Sequence, residues 1–201
     1  MLMISVKDLF PKETGVDRKK LKCTKVSIYS ITKPDKILEI KKIITNFLEG
    51  DNKNPEKLVI TDATANVGGD SISFATYFKS VNAVEIDKHT FNCLNNNIDV
   101  YKRNNVKTFN QDYTKIIRKL KQDVVFIDAP WGGVDYKKSK NITLYLSGIP
   151  LHTIVNHLDT KFIVLKVPKN YNLMSFIQSV RYEKIHFNHL RNMIIVCIKK
   201  L

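Results

Sequence analysis

The feature that most limits the possible folds is an alternation of short apolar runs with helical stretches from residue 58 onward. The runs are nearly continuous in apolar residues, as in strands that are buried on both faces. Such strands, separated by helices, are typical of an α/β domain with a mostly parallel sheet. The predicted strands are 58–62, 81–87, 106–110, 124–128 and 162–167.

The remaining segments complete this plan. Two β-rich runs, 182–187 and 193–199, end the chain with no helix between them, which predicts an antiparallel hairpin at one edge of the sheet. Helices are predicted at 33–49, 71–79, 89–101, 113–120, 151–158 and 173–180. We therefore expect a basic amino-terminal extension and helix over residues 1–50, followed by one domain over 51–201.

The charge of the chain favours a polyanionic partner. It carries 33 Lys+Arg against 19 Asp+Glu, a net charge of +14, which is typical of contact with nucleic acid or phosphates. Because lysine far outnumbers arginine, the coding bias of an AT-rich genome is an alternative. No apolar run reaches the roughly 18 residues of a membrane span. Cys23, Cys93 and Cys197 match no zinc or disulfide pattern and fit a reducing compartment, the cytoplasm or nucleus.

A glycine turn follows the first predicted strand. Residues 62–70 read Asp-Ala-Thr-Ala-Asn-Val-Gly-Gly-Asp, and small residues there let a ligand approach the backbone and the free N–H groups of a helix start. In a doubly wound sheet, ligands bind at this end of the strands. The spacing is not G-x-G-x-x-G, so a site for a dinucleotide pyrophosphate fits poorly.

Carboxylates end the next two strands. Glu85 and Asp87 lie about 20 positions downstream on one side of their strand, so either could accept ribose hydroxyls while the other caps the next helix. Asp112 could accept from an adenine amine or cap its own following helix. Together these residues suit a nucleoside bound without a phosphate chain, such as S-adenosylmethionine (SAM).

The fourth strand ends in Asp-Ala-Pro-Trp-Gly-Gly, residues 128–133. Trp131 is the only tryptophan, and in a loop we expect it to be exposed, with a flat face for stacking on a base. Its alternative role is to plug the end of the sheet. Asp128 and the carbonyls around Pro130 could accept hydrogen bonds from an exocyclic amine, which is the chemistry of methyl transfer to an amino nitrogen.

Four segments of the sequence resemble the trimethylguanosine synthase family, the RNA cap guanine-N2 methyltransferases. They are Tyr-Ser-Ile-Thr at 29–32, the turn at 62–70, the Trp-Gly-Gly-x-Asp-Tyr loop within 128–136, and Pro-Lys-Asn at 168–170. The resemblance implies a class I (Rossmann-like) SAM-dependent methyltransferase fold with a seven-stranded sheet. It also implies SAM as methyl donor and 7-methylguanosine-capped RNA or a cap analogue as acceptor, with S-adenosylhomocysteine as product. Because the sulfonium of SAM is already a good leaving group, the reaction needs no metal, and we expect a monomer.

The resemblance further implies a role for each matching residue. The turn would hold the methionine end of SAM, Glu85 its ribose and Asp112 its adenine, while Trp131 would stack on the cationic 7-methylguanine. The implied cofactor contacts are Asp62, Ala63, Thr64, Asn66, Gly68, Gly69, Glu85, Asp87, Asp112, Tyr113 and Asp128. The implied catalytic residues are Asp128, Pro130 and Trp131, and the implied cap or RNA contacts are Ser30, Thr32, Trp131, Tyr136, Lys169 and Asn170.

Two departures from the family pattern leave alternatives open. The family usually has Ser-Pro-Pro-Trp where this chain has Asp-Ala-Pro-Trp, and it usually has Arg where this chain has Lys169. An acidic first position is commoner among other amino-methyltransferases, so an enzyme acting on adenine or unmethylated guanine is one alternative. A non-catalytic RNA-binding subunit with the same fold is another. The lysine-rich composition would fit a viral protein acting in a host cell.

Overall fold

One mostly parallel sheet organises the computed structural model, which describes residues 5–201. Within that range the sheet has seven strands and a separate hairpin has two. The strands are β1 (Val59–Asp62), β2 (Ser80–Val84), β3 (Val106–Phe109), β4 (Val124–Ile127), β5 (Tyr145–Leu146), β6 (Ile149–Pro150), β7 (Phe162–Pro168), β8 (Lys184–His189) and β9 (Met193–Lys199). The order in the main sheet of the described chain is β3-β2-β1-β4-β7-β9-β8.

The order of the strands reverses between β1 and β4. From β1 the chain moves outward through β2 to β3, and then returns to place β4 on the other side of β1, all in parallel. β7 continues in parallel beside β4, whereas β9 runs antiparallel to both β7 and β8. The predicted fold, a mostly parallel sheet with an antiparallel edge hairpin, is confirmed. Loops diverge at such a reversal and leave a crevice at the carboxyl ends of the strands.

Helices cover both faces of this sheet. The longest, α2, begins with a proline in its first turn and buries one apolar stripe against the sheet. The α-helices are α1 (Ser27–Ser30), α2 (Pro34–Glu49), α3 (Gly69–Phe74), α4 (Lys88–Val100), α5 (Tyr113–Ile116), α6 (Leu151–His157) and α7 (Leu173–Ser179).

Two helices are shorter than the sequence pattern predicts. The helix predicted over 71–79 ends at Phe74, because the N–H of Lys79 already bonds the carbonyls of Pro55 and Leu58 at the start of β2. The helix predicted over 113–120 ends at Ile116, and the side chain of Gln122 caps the chain there by donating to the carbonyl of Ile117. The hairpin β5–β6 lies in a stretch that was predicted to be a loop.

The amino-terminal segment packs into the same core as the sheet. Leu9, Phe10 and Leu21 are buried in one cluster with residues of the glycine turn and α4. Asn97 of α4, fully buried, accepts from the N–H of Lys22 and donates to its carbonyl, both at 2.8 Å. The predicted division near residue 50 stays a prediction, and residues 1–4 of the predicted extension lie outside the described residues. No helix in residues 5–201 has the length and apolar character needed to span a membrane.

We predict that Asn97→Ala destabilises the protein by roughly 1–3 kcal/mol, because it leaves the buried carbonyl of Val67 and the part-buried backbone groups of Lys22 without their partner. Urea denaturation would measure the change in midpoint at constant slope. Asn92→Ala, at an exposed position of the same helix, is the control and should change stability by less than about 0.5 kcal/mol. Equal effects of the two substitutions would contradict the anchoring role of Asn97.

Candidate active site

Pairing of the central strands brings the glycine turn and the tryptophan loop together. Ala63 donates its N–H to the carbonyl of Phe126, and the N–H of Asp128 donates to the Thr64 hydroxyl at 2.9 Å. The segments that follow β1 and β4 are therefore fixed side by side. Leu165 of β7 pairs with the last residue of β4, so the next residue on each strand, Asp128 and Lys166, also meet.

The two glycines of the turn are required by close packing. Gly68 has φ +95°, and a Cβ there would lie 2.8 Å from a methyl of Leu94. A Cβ on Gly69 would lie 2.8 Å from Cγ1 of Ile31, so the amino-terminal segment is tightly packed over the start of α3. The two glycines are therefore needed for close packing of the turn, and their contact with a ligand stays a prediction.

Glu85 braces this turn from the next strand. Its carboxylate accepts from the N–H of Asn66 at 2.9 Å and from the N–H of Asp87 at 2.8 Å. Burial raises the pKa of Glu85. Asp87 is exposed and caps α4 by accepting from the N–H of Thr90, as one of the two sequence alternatives predicts. Glu85 is thus the acidic residue that faces the turn, and its contact with a ribose stays a prediction.

Asp112 and Tyr113 lie at the start of α5. Asp112 caps this helix, accepting from the N–H of Thr114 at 3.0 Å and from its hydroxyl at 2.7 Å. Tyr113 is buried in the core, and its hydroxyl donates to Gln122. The side chain of Tyr113 is therefore part of the core, and the roles of Asp112 and Tyr113 toward a cofactor stay predictions.

A buried lysine joins three parts of the site. Lys166 is 3% exposed, and its ammonium donates to Oδ2 of Asp128 and, at 2.9 Å, to the hydroxyl of Thr32. Thr32 in turn donates to Oδ2 of Asp70 at 2.6 Å. The amino-terminal segment, α3, β4 and β7 are thereby linked in one chain of charge-assisted hydrogen bonds.

Carboxylates outnumber ammonium groups in this network. Burial and the neighbouring Asp70 raise the pKa of Asp62 to about 8, and burial also raises the pKa of Asp70 and of Asp128. Burial alone would lower the pKa of Lys166, but the surrounding carboxylates raise it. Oδ1 of Asp70 is buried without a hydrogen-bond partner in the described chain. A surplus of buried carboxylate favours a cationic ligand.

Trp131 is half-buried, whereas the sequence analysis predicted an exposed ring. The indole packs against the core, meets Tyr136 edge to face at 5.3 Å, and has the Lys166 ammonium over its ring at 5.6 Å from the centroid. Its buried N–H lies beside Asp128 and lowers the pKa of that carboxylate, yet no acceptor in residues 5–201 meets it with hydrogen-bond geometry. The ring is thus held in place from one side.

A basic cleft of about 310 Å³ extends from Tyr136. The side-chain amide of Asn170 donates to the carbonyls of Tyr136 and Ser139, which holds the turn that carries Tyr136. The cleft is lined by Tyr136, Lys137, Lys169, Asn170, Arg191 and Asn192, with no acidic side chain among them. Sequence reasoning missed Arg191 and Asn192, because only the pairing of β9 with β7 brings the β8–β9 turn to this place.

The two predicted cap contacts from the amino-terminal segment already have internal partners. The Thr32 hydroxyl belongs to the buried network, and the exposed Ser30 hydroxyl accepts from the side-chain amide of Asn66 at 2.9 Å. Contact of either hydroxyl with a cap stays a prediction. Sequence reasoning also missed Lys166, although a single charged residue inside an otherwise apolar strand was a usable signal.

No group of three or more His, Cys, Asp or Glu side chains in residues 5–201 is arranged to hold a metal ion.

Comparison with known proteins relates the chain to methyltransferases. A family model described as RNA cap guanine-N2 methyltransferase matches residues 57–198. Protein L320 of Acanthamoeba polyphaga mimivirus is 33% identical over 215 residues, which cover 96% of this chain and 84% of that protein.

Solved structures show the same fold. A precorrin-6y C5,15-methyltransferase from Geobacter metallireducens has a TM-score of 0.62 at 18% identity, covering 93% of this chain and 97% of that one. A Streptococcus mutans protein solved with S-adenosylhomocysteine has a TM-score of 0.55 at 14% identity, covering 80% of this chain and 97% of that one. These similarities confirm the predicted Rossmann-like methyltransferase fold.

The raised pKa of Asp62 predicts a loss of stability with rising pH. The folded protein keeps a proton up to a pKa of about 8, whereas the unfolded chain releases it near the ordinary value of 3.8. The contribution to stability is therefore present below about pH 4 and is lost as the pH rises to 8. Over this pH interval the free energy of unfolding of wild type should fall by a few kcal/mol more than that of Asp62→Asn, since one pKa unit corresponds to about 1.4 kcal/mol.

Denaturant unfolding of both proteins between about pH 5 and pH 9, without ligand, would measure this difference. Asp99→Asn, at an exposed position, is the control, and its stability should run parallel to that of wild type across the range. If the free energies of unfolding of wild type and Asp62→Asn depend on pH in the same way, the raised pKa of Asp62 is contradicted.

Proposed function

The chain belongs to the RNA cap guanine-N2 methyltransferase family, and we propose that it is a SAM-dependent methyltransferase that methylates N2 of the 7-methylguanosine cap of RNA. The observation that carries this proposal is the position of Trp131 and Asp128 beside the glycine turn at one end of the sheet. An aromatic ring and a carboxylate that can accept from an amine therefore lie beside the turn, at the end of the sheet where doubly wound folds bind ligands.

The charge balance of the crevice supports SAM as the methyl donor. Asp62, Asp70 and Asp128 lie around a single buried ammonium, and burial raises the pKa of all three carboxyls, so cationic groups of a ligand would favour their ionised forms. SAM carries both an ammonium and a sulfonium. The turn from Asp62 to Gly69 would hold its methionine end, and Glu85 would hold its ribose.

Trp131 supports a cationic base as acceptor. A 7-methylguanine carries positive charge, which strengthens stacking on an indole by cation–π attraction. The basic cleft beside Tyr136 would receive the phosphates that follow the base, through Lys169 and the side chains of the β8–β9 turn. The net charge of +14 agrees with an RNA substrate.

The chain's own residues provide orientation. When bound, SAM supplies a methyl group that the guanine N2 lone pair attacks, the carbon–sulfur bond breaking onto sulfur and the nitrogen then losing one proton. Asp128 would accept a hydrogen bond from the amine and aim its lone pair, while Pro130 and Trp131 hold the base in its plane. Orientation of this kind supplies about 7–11 kcal/mol of barrier reduction in favourable cases.

The cellular setting and the oligomeric state follow as part of this proposal. Similarity to a mimivirus protein supports a viral protein that acts in a reducing compartment of a host cell. Cys23, Cys93 and Cys197 are free thiols, as such a compartment requires. A monomer suffices for the site, since each proposed contact comes from one chain.

A second acceptor is favoured by one observation. Asp128 stands where the family usually has serine, and a carboxylate at this position also suits the amine of adenine or of unmethylated guanine. The site would orient such an amine in the same way, so the acceptor base has to be determined directly.

We predict that methyl transfer requires the N7 methyl group of the cap. Labelled SAM would be incubated with 7-methylguanosine-capped RNA, with the same RNA carrying an unmethylated guanosine cap, and with uncapped RNA. Mass spectrometry of nucleosides would locate the label. Label on N2 of capped 7-methylguanine alone supports the proposal, label on adenine or internal guanine favours the second acceptor, and no SAM binding in calorimetry would indicate a non-catalytic subunit.

We predict that Trp131→Ala lowers cap methylation by a factor of about 100 or more while SAM affinity changes by less than about threefold, because the lost stacking concerns only the acceptor. Tyr182→Ala, which removes an aromatic ring packed on the same core cluster at the far end of the sheet, is the matched control. Near-normal turnover by Trp131→Ala would rule out the stacking role.

A further inference from the structure

The buried lysine of β7 is costly for stability. Lys166 stands in a strand whose other side chains are buried and apolar, and an ammonium in that position loses several kcal/mol of hydration. A methionine of similar length would pack there at lower cost. The ammonium therefore has a role other than packing. Its three contacts, Asp128, Thr32 and the ring of Trp131, place that role in the candidate active site.

The ion pair has an inner and an outer member. The Lys166 side chain is 4% exposed and that of Asp128 is 18% exposed, so the ammonium is the more deeply buried of the two and the carboxylate keeps some contact with solvent. The ammonium binds Oδ2. Oδ1 is thus the carboxylate oxygen that has no hydrogen bond to the lysine.

We propose that Lys166 is a positioning residue that acts through Asp128, holding one carboxylate oxygen so that the ionised carboxylate presents the other to the acceptor amine. The proposal rests on the proposed function for the identity of the amine. Its core, that the lysine sets the charge and orientation of Asp128, is independent of which base is methylated.

The other charges around the pair define the expected pH dependence. Asp62 at the end of β1 and Asp70 of α3 also face Lys166, and both carboxyls have raised pKa values. Without the ammonium, the pKa of Asp128 would rise further, because burial already raises it and Lys166 opposes that rise. More of the carboxyl would then be protonated at neutral pH and unable to accept from the amine.

The first experiment compares kcat and KM of wild type and Lys166→Met from about pH 6 to pH 9.5. We expect kcat at neutral pH to fall about tenfold or more, the acidic limb of its profile to move to higher pH, and KM for SAM to change by less than about threefold. Lys199→Met is the matched control, because Lys199 pairs with Asp51 and Glu183 at the opposite end of the sheet. It should lower stability without moving the pH profile.

A double-variant cycle tests whether Lys166 acts through Asp128. Lys166→Met combined with Asp128→Asn leaves neither partner charged, so this protein should fold even where Lys166→Met does not. We expect the double variant to turn over no more slowly than Asp128→Asn alone. If it is slower by the full factor of Lys166→Met, or if Lys166→Met loses the same activity at every pH, the proposal is overturned.

Fluorescence gives a readout that needs no substrate. Trp131 is the only tryptophan, and its ring lies beside both members of the pair, so its emission should report the protonation of Asp128. We expect the emission midpoint to move to higher pH in Lys166→Met and to stay unchanged in Lys199→Met. An unchanged midpoint in folded Lys166→Met would overturn the proposal. If the emission midpoint moves but the methyl label is found on a base other than the cap guanine, the proposed function is refuted while the role of Lys166 is supported.

Discussion

The parallel pairing of β1 with β4, and of β4 with β7, is the constraint on which the site depends. Three strands ending at one edge place the glycine turn, the tryptophan loop and Lys166 within reach of one another, although about 100 residues separate the turn from the lysine. The hydrogen bond from Asp128 to Thr64 then closes the gap between the two loops. The positions of the buried charges and of the Trp131 ring both follow from the order and register of these strands.

Much of this arrangement could be predicted from the sequence. Continuous apolar runs identified the strands, and two late runs without a helix identified the edge hairpin, because local composition reports burial directly. The position of the site followed from the glycine turn and the Asp-Ala-Pro-Trp loop. The lengths of α3 and α5 could not be predicted, because helical periodicity does not record the bonds near their ends. These are the backbone bonds of Lys79 to Pro55 and Leu58 after α3, and the bond from the Gln122 side chain to the carbonyl of Ile117 after α5.

The contacts within the site were the least predictable part. The resemblance implied a cap contact for Thr32, and nothing in the sequence showed that its hydroxyl lies between Lys166 and Asp70. Trp131 reads as an exposed loop residue, yet one side of its ring is covered. Both results depend on contacts between segments that only the sheet register brings together, and no local pattern encodes them. The same is true of Arg191, which reaches the basic cleft because β9 runs antiparallel to β7.

The pairing of Asp128 with Lys166 has a consequence for the history of this lineage. A change of either residue alone would leave a charge buried without its partner, which is far more destabilising than the loss of both. Relatives with an uncharged residue in place of Asp128 should therefore lack the lysine as well. Substitution of the two positions should occur together or in close succession. A lineage that has acquired this pair cannot easily return by single steps, so the acidic loop and its lysine should be inherited as one character.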